Sequence, residues 1–126
     1  MFSHVMIGVN DIAHSKAFYD AVLGKLGHKP GVIDPKGRCF YVTESGVFSL
    51  TKPIDGSDAT HGNGSTIGFR ASKPEQVDEF HQAGIDAGGK PIEDPPGVRE
   101  GAGTKLYIGY LRDPDGNKIC AVNFMK

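Results

Sequence analysis

The hydrophobic and polar positions of the chain run through one cycle and then start again. Val5, Ile7 and Val9 alternate with His4, Met6 and Gly8, which predicts a half-buried strand over Phe2–Val9. Asn10 and Asp11 follow as candidate helix caps. Ala17, Phe18, Ala21, Val22 and Leu26 then recur at helical spacing, predicting a helix over 12–25 that stops near Gly24–Gly27. Residues 28–38 hold two Pro and two Gly and predict a loop with a short extended piece. Cys39–Thr43 and Val47–Thr51 predict two strands joined by a tight Glu44–Ser45–Gly46 turn, and 52–64 reads as a polar, Gly-rich connection.

The second cycle has the same order. Ser65–Arg70 predicts a strand, and Ser72 with Glu75 three residues on has the form of a capping box. Val77, Phe80, Ala83, Gly84 and Ala87 mark an amphipathic helix ended by Gly88–Gly89. Residues 93–104, with adjacent prolines and three glycines, predict a loop. Lys105–Arg112 predicts a strand, 113–117 (DPDGN) a turn, and Lys118–Phe124 a closing strand. A single ungapped offset of 62 residues places Val5 on Ile67, Ile7 on Phe69, Phe18 on Phe80, Ala21 on Ala83, Leu23 on Ile85 and Gly27 on Gly89. Strand, helix and helix stop all align, which points to an internal duplication. One such module has an open sheet and a single helix, too little to bury a core alone; two can pair.

Composition narrows the function classes. The 126 residues suit one domain, and a net charge of −1 with no basic stripe gives no reason to expect nucleic acid. No apolar run approaches the roughly 20 residues of a bilayer span, and the strand pattern begins at once, so a cytoplasmic protein with no membrane association is expected. Cys39 and Cys120 lack zinc-type spacing and predict reduced thiols. The 18 glycines are dispersed, as short strands joined by tight turns require. GNG at 62–64 is no nucleotide fingerprint, because neither the GxGxxG spacing nor a phosphate-binding helix follows.

The stretches 4–11 (HVMIGVND), 15–23 (SKAFYDAVL) with Gly27 beyond, 62–71 (GNGSTIGFRA) and 112–122 (RDPDGNKICAV) together resemble the glyoxalase / bleomycin-resistance / extradiol-dioxygenase family, the vicinal-oxygen-chelate family. The resemblance covers nearly the whole chain. It implies an α+β fold in which two pseudo-symmetric βαβββ modules form a curved mixed sheet around a concave pocket, with the helices outside. Module 1 would span about 1–56, the linker about 57–64 and module 2 about 65–126. The family holds a divalent metal in that pocket through four equivalent strand positions. His4 matches the first. Thr66 stands where a second His is expected, and Cys120 where a Glu is expected; the remaining position falls on Ser49 or Leu50. One ligand of four survives, so no metal and no other cofactor is expected.

The resemblance makes His4, Ser49, Thr66 and Cys120 candidate pocket residues. His4 reads either as a ligand contact or as an ordinary strand histidine. Thr66 would fill the space of the family His. Cys120 reads as a small buried hydrophobe, or as a thiol facing the pocket. Tyr107 is expected to face the pocket if Leu106, Ile108 and Tyr110 face the helix. Arg99, in the predicted loop, would either clamp a carboxylate or be solvated. His14, His28, His61 and His81 read as surface or packing residues, and Asp113 and Asp115 as turn residues rather than a catalytic pair. The expected protein is a homodimer that binds a small molecule in the concave pocket without a catalytic metal. The alternatives are a metal-dependent lyase of the lactoylglutathione-lyase kind, a dioxygenase with an atypical site, and a non-catalytic interaction module.

Overall fold

The computed structural model describes residues 1–125. The chain runs β1 (His4–Gly8), α1 (Ile12–Gly24), β2 (Val32–Ile33), β3 (Cys39–Thr43), β4 (Gly46–Thr51), β5 (Ile67–Arg70), α2 (Pro74–Asp86), β6 (Lys90–Gly101), β7 (Thr104–Arg112) and β8 (Lys118–Met125). The strands form two four-stranded mixed sheets, ordered β1-β4-β3-β2 and β5-β8-β7-β6. In each, the first strand pairs parallel with the last and the rest pair antiparallel. The first half and the second half thus repeat one topology, as the sequence offset predicts.

Local chemistry sets the helix ends. Asp11 caps α1 by accepting from His14 N at 3.0 Å. In α2 the expected capping box does not form. Pro74 occupies the first turn, Lys73 takes the cap position without a side-chain bond, and Ser72 N and Oγ both donate to Gln76 Oε1 instead of engaging Glu75. The buried face of α1 is Ser15, Phe18, Tyr19, Val22 and Leu23, while Ala17 is exposed. A buried serine and tyrosine shift the face away from the purely apolar stripe.

The predicted loop at 93–104 is a second difference. Residues from Lys90 to Gly101 pair with β7 in two segments, with a bulge between Ile92 and Gly97. Pro95 and Pro96 lie inside that bulge on the edge strand, where a missing N–H leaves no ladder partner unsatisfied. The residues that broke the sequence pattern broke only the register.

The two halves share one core. An aromatic chain crosses it: Phe18 to Tyr19 at 5.0 Å, Tyr19 to Phe48 at 4.8 Å, Phe48 to Phe69 at 5.0 Å and Phe69 to Phe80 at 6.1 Å. Val9, Leu50, Val77, Leu111, Ile119 and Ala121 complete it with no exposure. Each sheet therefore has one face on the helices and one face free of them.

Candidate functional site

Strand register decides which residues line the helix-free faces. Val5 lies opposite Phe48 in β1–β4, and Ile67 opposite Ile119 in β5–β8. Val5 and Ile67 are equivalent by the offset, so the next residues, Ser49 and Cys120, are equivalent too. The open choice between Ser49 and Leu50 falls to Ser49; Leu50 is a core residue with no exposure. His4, Met6 and Ser49 share the helix-free face of the first sheet. Thr66 precedes β5 on the parity of Gly68 and Arg70, the helix-free side of the second sheet, with Cys120 on the adjacent strand. Within one chain the four positions thus lie as two pairs in two different sheets.

Their chemistry does not fit a divalent metal. His4 is exposed, with Nδ1 2.7 Å from Ser3 Oγ. Ser49 is fully buried and its hydroxyl donates to Val5 O at 3.2 Å. Thr66 offers a neutral hydroxyl. Burial pushes the Cys120 thiol up to about 11, so it is protonated near neutrality. One imidazole, two hydroxyls and a protonated thiol are a weak donor set for a hard cation. No group of three His, Cys, Asp or Glu among the described residues is placed to hold one.

Cys120 sits between Gly68 and Tyr110, its partners on the neighbouring strands. A side-chain carbon on Gly68 would come within 3.2 Å of the Cys120 sulfur, so glycine makes the room for the thiol. Nearby, the Lys118 ammonium lies 4.8 Å from the Tyr110 ring centroid, and Lys118 also pairs with Glu93. Arg70 lies over Phe124 at 4.6 Å. The helix-free face of the second sheet is an apolar surface edged with cations.

Two expectations for the site change. Tyr107 does not face that surface. It pairs with Asn123 on the helix side, and its hydroxyl donates to Asp78 Oδ1 of α2 at 2.8 Å. Ile108 and Tyr110, expected on the helix, take the other face, while Gly109 and Leu111 point to the helix. The reversal follows from Leu111, which is fully buried and fixes the parity of β7. Arg99 is not in a loop. From β6 its guanidinium donates to Asp94 O, Pro95 O and Val98 O, closing the bulge on itself. Most of its donors are committed to backbone.

Asp113 and Asp115 do more than shape their turn. Asp113 is 4 % exposed and accepts from Tyr19 OH at 2.6 Å, Asn117 Nδ2, Asn117 N and Asp115 N. Asp115 accepts from Asn10 N at 2.9 Å and Ser15 Oγ at 3.1 Å. The turn between β7 and β8 is thereby latched to the start of α1. The burial of Ser15 on the α1 face is the sequence trace of this contact.

Sequence reasoning missed one cavity. A space of about 600 Å³ opens between the two halves, beside the end of α1 and the outer edge of β5. Of the residues predicted for a site, only His4 lines it.

A family model described as Glyoxalase/Bleomycin resistance protein/Dioxygenase superfamily matches residues 1–121. Among solved structures, a glyoxalase/bleomycin resistance protein from Albidiferax ferrireducens T118 is similar at 62 % identity, with 98 % of each chain covered and a TM-score of 0.94. A glyoxalase/bleomycin resistance protein/dioxygenase family enzyme from Burkholderia phytofirmans PsJN shares the fold at 22 % identity, 98 % of each chain and a TM-score of 0.74. A putative glyoxalase from Bacillus halodurans shares it at 24 % identity, 98 % of this chain and 95 % of that chain, with a TM-score of 0.76. No curated protein matches.

Proposed function

Because this chain belongs to the Glyoxalase/Bleomycin resistance protein/Dioxygenase superfamily, we propose that it binds a small organic molecule on its helix-free concave faces without a catalytic metal. The observation that carries this reading is the residue set His4, Ser49, Thr66 and Cys120 at the four equivalent strand positions. A metal-dependent lyase or dioxygenase would need several oxygen or imidazole donors there; a binding protein needs only shape and a few polar groups. His4 and Thr66 would supply hydrogen bonds, and Tyr110 and Val122 an apolar wall.

The same reading includes a homodimer. The exposed apolar side chains Met6, Val32, Val42 and Phe124 lie on the helix-free faces of the two sheets. A second copy of the chain would cover them and turn two open faces into closed pockets.

The test is a melting-temperature screen of small phenols and aromatic acids with EDTA present throughout. A compound that raises the melting temperature in EDTA, and loses that effect in Cys120→Phe, agrees with the proposal. Stabilisation that appears only when Ni²⁺, Zn²⁺ or Mn²⁺ replaces EDTA contradicts it.

A further inference from the structure

The two modules meet across a pseudo-twofold junction whose halves are built differently. On one side the turn after β7 crosses to module 1. Asp113 accepts from Tyr19, Asp115 from Asn10 and Ser15, and Asn117 Nδ2 reaches Gly8 O. The 62-residue offset gives the module 1 groups their counterparts: His81 for Tyr19, Val77 for Ser15, Ser72 for Asn10 and Arg70 for Gly8. The strand registers give Thr43 for Asp113 and Gly46 for Asn117.

None of the counterpart bonds forms among the described residues. His81 Nε2 engages Tyr110 O inside its own module. Thr43 Oγ1 donates to Gly46 O within its own turn. Ser72 is bound to Gln76, and Gly46 has no side chain to cross with. The space left is the cavity of about 600 Å³, and Thr43, Ser45, Gly46, Arg70 and Ser72 all line it. It is the half-junction that lacks a latch.

We propose that this half-junction, which borders the helix-free faces at His4 and Arg70 but is walled by helix-side residues of both sheets, is a binding site for a small flat apolar molecule with one anionic group, of the aromatic carboxylate class. The volume lies in the range of small-molecule sites. Leu23, Leu26, Phe48, Ile67 and Phe69 form an apolar wall suited to a ring. The lining is one-sided: Arg70 brings a fixed positive charge, His4 and His28 bring imidazole nitrogens, and no carboxylate lines the cavity. The Tyr41 hydroxyl, also in the wall, is taken by Asp20. Arg70 rests on the Phe124 ring and makes no ion pair or guanidinium hydrogen bond among the described residues, so its donors are open to a carboxylate. The bound anion would replace the bridge that Asp113 provides on the other side.

Titrating ¹⁵N-labelled protein with 2-naphthoate, and separately with 2-naphthylmethylammonium, tests the site. The expected result is saturable shifts of the amides of Leu26, His28, Ile67 and Phe69 with naphthoate at millimolar or better affinity. The ammonium should bind about tenfold more weakly, and Arg70→Gln should weaken naphthoate by about tenfold. Leu26→Trp, in a chain without tryptophan, should place a single fluorophore at the wall that naphthoate perturbs. Shifts centred instead on Leu106, Ile108 and Tyr110, on the helix-free face one strand beyond β8, equal binding of the two charges, or no saturation by either would overturn the proposal.

Discussion

Both cysteines are held as thiols by their surroundings. Burial raises Cys39, and it pushes Cys120 up to about 11. Against a free thiol near 8.5, the thiolate fraction of Cys120 at neutral pH falls by more than about a hundredfold. Thiol titration with a disulfide reagent at pH 7 should therefore be slow in the native protein and rapid for two groups after unfolding. A thiol that reacts at once in the native state would contradict the buried assignment. At Asp20 the balance runs the other way. Burial would raise its pKa, but bonds from Lys16 Nζ at 2.6 Å, Gly31 N at 2.9 Å and Tyr41 OH at 2.8 Å outweigh it and leave it lowered. A lowered folded value means that this stabilisation is present above about pH 4 and is lost as pH falls through the folded value. Asp20→Asn should flatten the acid limb of the stability curve, read by urea unfolding from pH 6 downward. An unchanged limb would show that Asp20 contributes nothing there.

At the scale of elements, the turn between β7 and β8 and the close approach of α2 govern how the halves fit. Tyr19→Phe removes one bond from Asp113 and should cost about 1–2 kcal/mol; Asp113→Ala strands its remaining donors and should cost about 3 kcal/mol. The double variant should fall short of the sum, since both changes remove the same bond. Chemical denaturation gives all three values. Gly84→Ala is a second case. Alanine favours a helix over glycine by about 1 kcal/mol, yet a side-chain carbon at Gly84 would run into Leu111 Cδ1 and lie 3.3 Å from Val22. The overpacking should win, with a net loss of about 1–2 kcal/mol. A stabilised Gly84→Ala would mean that Leu111 can give way.

These elements also show what the sequence can and cannot reveal. The alternation of Val5, Ile7 and Val9 and the helix at Phe18 and Val22 depend on local periodicity, and they were legible. The strand character of 93–101 was not, because two prolines disguise a bulged edge strand. Parity was the harder problem: Tyr107 and Ile108 are both apolar enough for the core, and only the fully buried Leu111 settles which face each takes. Of the candidate site, the family resemblance named positions 4, 66 and 120 but left 49 or 50 open, and only the pairing of Met6 with Ser49 separates these two. The junction cavity was not legible, since it arises from bonds that Thr43 and Gly46 fail to make to residues far along the chain, at His81 and Arg70.

At the scale of the whole molecule, a shared aromatic core joins the modules and leaves their helix-free faces outward with exposed Met6, Val42 and Phe124. Sedimentation should give twice the chain mass, and Val42→Lys combined with Met6→Lys should give the monomer at unchanged secondary structure. A wild-type monomer at tens of micromolar would remove the second copy from the account. The most direct measurement is the metal content of protein purified without chelator, taken with its melting temperature before and after excess Ni²⁺, Zn²⁺, Mn²⁺ or Fe²⁺. With His4, Ser49, Thr66 and Cys120 at the four positions, the account predicts far less than one metal per chain and no shift with any ion. Stoichiometric metal, or a stabilisation by one ion that disappears in His4→Ala, would contradict it.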